Sequence, residues 1–214
     1  MKTAPKAILM AGGLLLAVSA RAAIDWEQTF TPANGTIQAG NMVGEVFSGD
    51  VTAAPAGSMA EDLVVSLNVS GGYNGDFYAY LVSPSGTTDL LLNEPGVGVN
   101  GFGASGSGMD ITLADDSPNG SIQYVTGSST LSGSYQPASP LSAFASDSAN
   151  GNWTLFFADE GSGGGNADLN SWSLGVVTVP EVVSPALCWF FSLLLGLGGL
   201  RWLSRRRKLQ QPAL

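Results

Sequence analysis

The stretch "GNWTLFFADEGSGGGNADLNSWSLGV", residues Gly151 to Val176, decides the fold. Its first part sets Trp153, Leu155 and Phe157 on one face of an extended chain, and its last part does the same with Trp172, Leu174 and Val176. A period of two marks a strand with one buried face, because successive side chains leave a strand on opposite sides. Between the two lies "ADEGSGGGNAD", rich in glycine and turn formers, so the stretch reads as two strands joined by a loop.

The same alternation recurs upstream. "EDLVVSLNVSG" sets Leu63, Val65, Leu67 and Val69 on one face, and "GMDITLADD" does so with Met109, Ile111 and Leu113. "GDFYAYLVSP" puts Phe77, Ala79 and Leu81 on one side and Tyr78, Tyr80 and Val82 on the other. The glycine-rich segment from Asn93 to Gly108 reads as a long loop. Helical periodicity is lacking, and many short strands bounded by Gly, Pro, Asn and Asp predict an all-β sandwich or barrel.

Charge divides the chain into three. All eight Lys and Arg residues lie at the tips: Lys2, Lys6 and Arg21 at one end, Arg201, Arg205, Arg206, Arg207 and Lys208 at the other. The net charge of −9 therefore conceals a central region with sixteen carboxylates and no Lys, Arg or His. Nucleic-acid binding is excluded there, since phosphates need basic partners. Histidine-dependent triads and zinc–histidine sites are excluded too, because the chain has no His. The single cysteine, Cys188, lies outside the central region and provides no disulfide.

The tips read as addresses. Lys2 and Lys6 precede the apolar "AILMAGGLLLA", and small residues follow at "VSA" and "ARA", which is the pattern of a cleaved secretory signal over residues 1–22. Residues 182–200 contain no charge, a length of roughly 28 Å as a helix, enough to span a hydrocarbon core. Trp189 and Trp202 lie near its two ends, and the basic tail keeps residues 209–214 on the cytoplasmic side. Val179, Pro180 and Glu181, the apolar run, and Arg205, Arg206 and Arg207 together resemble the PEP-CTERM sorting signal over residues 179–208. Val182 stands where that family has a second proline. The resemblance implies an exosortase-type processing enzyme as partner; a permanent single-pass anchor is the competing reading.

A second resemblance covers the centre. "GDFYAYLVSPSGTTDLLL", "GFG" at 101–103 and the Gly151–Val176 stretch follow the order seen in the P domain of proprotein convertases. That resemblance implies a jelly-roll β-sandwich over residues 23–178. In the family the domain follows a subtilisin-like protease that it helps to fold. Here only residues 23–58 precede the similarity after the signal peptide, so a helper role requires a protease in trans.

No residue is assigned a catalytic role. Asp159, Glu160 and Asp168, with Asn166, surround the glycine run, and Asp76 sits in "NGDF"; these acids are the candidates for a calcium site. A solvated turn is the competing reading, and Asp115 and Asp116 read as turn acids. Trp153 and Trp172 belong to the core by their alternation, which leaves Tyr78 and Tyr80 as the exposed aromatic pair. The expectation is an exported protein, not an enzyme, anchored at least transiently in the inner membrane and then at the cell surface or in the extracellular matrix. It would act by adhesion, exopolysaccharide association or structural contact. The rival is a glycan- or protease-binding module anchored in the inner membrane and facing the periplasm.

Overall fold

Ten strands account for the architecture of residues 23–178, the part of the chain that the computed structural model describes. They are β1 (Ala23–Phe30), β2 (Thr36–Ile37), β3 (Asn41–Val51), β4 (Leu63–Gly71), β5 (Phe77–Val82), β6 (Thr88–Asn93), β7 (Met109–Leu113), β8 (Leu131–Tyr135), β9 (Gly151–Asp159) and β10 (Ala167–Thr178). One sheet has the order β1-β10-β4-β7-β8 with β2 also on β10, and the other has the order β3-β9-β5-β6. Pairing is antiparallel except between β7 and β8. The chain is thus an all-β sandwich, as the alternation predicts. The signal peptide and the helix expected at 182–200 lie outside the described residues.

The five strands read from alternation are β4, β5, β7, β9 and β10, and their apolar faces form the core. Trp153, Phe77, Phe157, Leu155 and Leu174 are fully buried, and Trp172 nearly so. Phe77 and Phe157 meet edge to face at 5.2 Å across β5 and β9, the geometry that ring quadrupoles favour. Trp153 packs on Phe144 in the same way at 5.3 Å, and its indole N–H donates to the Ala149 carbonyl at 2.9 Å. Burial therefore leaves that polar atom satisfied.

A register shift explains how β10 buries more than the alternation showed. Ala167 and Leu169 face the core on odd positions, whereas Trp172, Leu174 and Val176 do so on even ones. The pairing of β10 with β4 slips between Leu169 and Ser171, so Asn170 is an extra residue that switches the phase. Its amide donates to Asn68 Oδ1 at 2.8 Å.

The segment expected to be a loop from Asn93 to Gly108 contains one helical turn, α1 (Val97–Asn100). Asn100 braces its end by accepting from Phe102 N at 2.8 Å and donating to the Gly103 carbonyl at 3.2 Å. Gln28 ties the two sheets together at their margin. Its amide donates to the Asp50 carbonyl at 2.7 Å, while its oxygen accepts from the backbones of Thr52 at 2.8 Å and Ala53 at 3.0 Å.

Candidate functional site

The β9–β10 loop and the turn before β5 converge at one end of the four-stranded sheet. Phe77 stands opposite Asp159 in the β5–β9 register. One step beyond, Glu160 N donates to the Asp76 carbonyl at 2.8 Å, closing the pair past the end of the strands. Asp76 ends a short 3-10 turn, Asn74–Asp76, whose chain then extends directly into β5. The local sequence supplies the turns, "NGD" leading into β5 and "DEG" leading out of β9, and the β5–β9 register brings them together.

Two carboxylates are brought together as a result. Asp159 has no solvent exposure; its Oδ1 accepts from Gly161 N at 3.2 Å and its Oδ2 has no hydrogen-bond partner. The Asp76 carboxylate lies against Gly161, where a side-chain Cβ would meet it, so a larger residue here makes the carboxylate or the loop shift. Burial first, and the Asp76 charge second, push the Asp159 carboxyl up to about 6 against the partial relief of the Gly161 bond. Burial also raises Asp76.

The other candidate ligands are placed elsewhere or spent on structure. Asp168 is exposed on β10, where its Oδ1 accepts from the Thr36 hydroxyl at 2.8 Å. Asn166 Oδ1 accepts from Ala39 N at 3.2 Å. Glu160 is half-buried and joins the Asp pair through its backbone. Among the described residues, no group of three or more acidic side chains is gathered where it could hold a metal ion. Asp76 and Asp159 are what remains of the four-residue set.

Aromatic placement also differs in part. Trp153 and Trp172 are core residues, as expected. Tyr78 and Tyr80 are half-buried, and Phe156 shares their face. Tyr80 and Phe156 stack at 4.6 Å with planes 11° apart, and Tyr78 meets both edge-on at 6.3 Å. These rings cover one another's faces, so they do not lie open as a flat platform.

Three of the exposed apolar side chains lie on β3, an outer strand of that sheet: Met42 is 70%, Val43 83% and Val46 63% exposed. Val46 also borders a groove of about 470 Å³ between β1 and β3, lined by Phe30, Pro32, Asn34, Phe47 and Trp172 among others. Sequence reasoning passed over this strip because "NMVGEVFSGDV" does not alternate. Its pairing with β9 slips between Asn41 and Glu45, where Gly44 adopts a φ of +64°.

Two further acids were missed or undervalued. Asp147, buried beneath the Ser83–Thr87 turn, is pushed up by burial, but the hydroxyls of Ser83, Ser85 and Thr87 together outweigh this and hold it below the usual carboxylate range. Asp115 accepts from Leu141 N at 2.7 Å and Ser142 N at 2.9 Å, and so caps a short 3-10 turn rather than decorating a loop.

This sandwich, with the Ser-Pro-Ser-Gly-Thr turn and both tryptophan strands in place, matches the sequence family described as proprotein convertase P-domain over residues 60–176. The chain belongs to the proprotein convertase P-domain family. No curated protein matches it significantly. Among solved structures, it is similar to the serine protease of Aeromonas sobria in complex with its chaperone ORF2, with 16% identity and a TM-score of 0.44, covering 75% of this chain and 28% of that one. It is likewise similar to the Aeromonas sobria serine protease alone, with 16% identity and a TM-score of 0.44, covering 73% and 27%. This P-domain chain thus spans little more than a quarter of the length of those proteins.

The plain expectation that the chain is not an enzyme is corrected by these comparisons, because the solved structures it resembles are those of a serine protease. What stands is narrower. The matched P domain is a non-catalytic domain, and the comparisons do not show this chain to be an enzyme.

Proposed function

We propose that this P-domain protein is an exported surface or extracellular-matrix component that works by contact. The reading combines two parts. Residues 1–22 would direct export. Val179, Pro180, Glu181 and the Arg205–Arg207 tail, flanking a membrane helix at about 182–200, would deliver it through an exosortase-type enzyme from the inner membrane to the surface. The sandwich, a jelly roll in this reading, would then be the contacting part.

The observation that carries the contact role is the apolar strip of Met42, Val43 and Val46, continuous at Val46 with the groove at the β1–β3 margin. Exposed apolar side chains grouped on one strand mark interaction surfaces more often than isolated ones do. The partner's chemistry is limited by charge. With sixteen carboxylates and no basic residue over 23–178, the sandwich repels polyanions, which leaves neutral polysaccharide or an apolar protein face. Membership in the P-domain family favours one second reading, a module that binds a protease in trans.

The test is the intact mass of the protein recovered from membrane, surface and medium fractions, combined with Pro180→Ala and an Arg205–Arg207 to Ala variant. A surface or medium species ending near Pro180, lost in both variants, supports delivery. A membrane-only species retaining Lys208 overturns it and leaves the binding module anchored at the inner membrane.

A further inference from the structure

Asp76 and Asp159 carry more than ordinary turn acids do. Asp159 is fully buried, yet its Oδ2 has no donor, and the nearest charge identified as acting on it is another carboxylate. Asp147 Oδ2 also lacks a donor, but three hydroxyls surround that residue and can turn toward it. Among the described residues, the one group found donating to the Asp159 side chain is Gly161 N, and no hydroxyl is among the groups acting on it. Residues 23–178 contain no Lys, Arg or His that could neutralise the pair. A buried unpaired carboxylate beside a second one is costly, so the arrangement calls for a cation from solution.

We propose that Asp76 and Asp159 bind one calcium ion between them, pinning the Glu160–Asn166 loop to the Asn74–Asp76 turn. The donor set is oxygen only, since neither His nor Cys occurs in residues 23–178. That disfavours zinc and its neighbours, which prefer nitrogen and sulfur. Two carboxylates leave several ligand positions for loop carbonyls and water. Calcium tolerates such an irregular shell of six to eight oxygens, whereas magnesium demands a near-ideal octahedron. Gly161 serves the same end: lacking a Cβ, it lets the Asp76 carboxylate approach the loop while its N–H orients Asp159 through Oδ1. Only two charged ligands predict weak binding, with a Kd on the order of 0.1–1 mM. The site does not depend on the surface role or on its destination.

The experiment is thermal unfolding of the full-length protein in detergent micelles at about pH 7.5, with calcium chloride raised to about 10 mM. Magnesium chloride and sodium chloride at equal ionic strength serve as controls, and calorimetric titration with calcium chloride gives the stoichiometry. The expected result is one ion bound and a Tm raised by about 3–6 °C by calcium alone, reversed by chelator. Asp76→Asn and Asp159→Asn each abolish the rise. Asp159→Asn removes a buried charge, so it melts at or above the native protein in chelator, which shows that it folds. A Tm indifferent to calcium means that the pair shares a proton instead, and overturns the proposal. So does a rise that magnesium or sodium reproduces, or one that survives in Asp159→Asn. Fractionation tests the surface role separately and involves no metal.

Discussion

Tyr80 and Phe156 stand opposite each other in the β5–β9 register and stack at 4.6 Å on the outer side of their sheet. Val46 is the next residue in the same row, paired with Phe156 from β3. The row joins a self-covering aromatic stack to an exposed aliphatic margin, and the margin is the part left free for a partner. Val43→Lys with Val46→Lys should leave the melting temperature within about 2 °C of native, since both side chains are largely exposed. The same double change should strip the protein from washed cell surfaces while Tyr80→Ser does not. Retention of the lysine variant, measured by immunoblot of surface fractions, would exclude the β3 strip as the contact.

The Asp159 carboxyl makes the metal-free protein respond to pH in a definite direction. Its folded pKa of about 6 lies above the ordinary value of 3.8, so between these values the folded state holds a proton that the unfolded state has released. Stability in chelator should therefore rise as pH falls from about 7 toward 5, and Asp159→Asn should flatten that slope. Urea unfolding at a series of pH values checks it. A slope unchanged by the substitution would assign the dependence to other carboxylates.

Asp147 responds in the opposite sense. Its folded pKa is lowered, so the stability it contributes is present above the ordinary carboxylate range and disappears as pH falls below about 4. Replacing it by Ala at neutral pH removes the carboxylate that the Ser83, Ser85 and Thr87 hydroxyls stabilise and should cost about 1–3 kcal/mol. Denaturant unfolding of Asp147→Ala and Ser85→Ala measures this, the serine change being the smaller.

Gln28 is a joint between sheets. Truncation to Ala removes three hydrogen bonds to residues 50–53 and should destabilise by about 1–2 kcal/mol. Hydrogen exchange should then quicken at the Thr52 and Ala53 amides more than in the centre of β9. Uniform quickening would mean a global effect rather than a loosened margin.

Gly161→Ala tests the close approach at the loop. The added methyl meets the Asp76 carboxylate, so the carboxylate, the loop or the turn must shift. The expected result is a lower melting temperature in chelator and loss of any calcium response, read by the same thermal scans. A variant indistinguishable from native would show that the carboxylate moves aside freely.

Much of this was legible in the residues themselves. Strands β4, β5, β7, β9 and β10 announced themselves because each has one face against the core, and a pleated chain then alternates in composition. The absence of internal cations, and the chemistry this excludes, also follows from the sequence alone. The sequence did not reveal where a pattern breaks. β3 carries a bulge, β10 changes phase at Asn170, and β1 and β8 gain their strand character from the neighbours they pair with. The tertiary structure alone decided which acids matter. Asp76 and Asp159 lie far apart in the chain and meet only because β5 pairs with β9, while Asp168, close to Asp159 in sequence, is carried onto β10 and held by Thr36. Local composition sets which segments become strands, since burial of one face is a local requirement. Which side chains converge at a strand's end depends on register between distant segments, and no single segment encodes that.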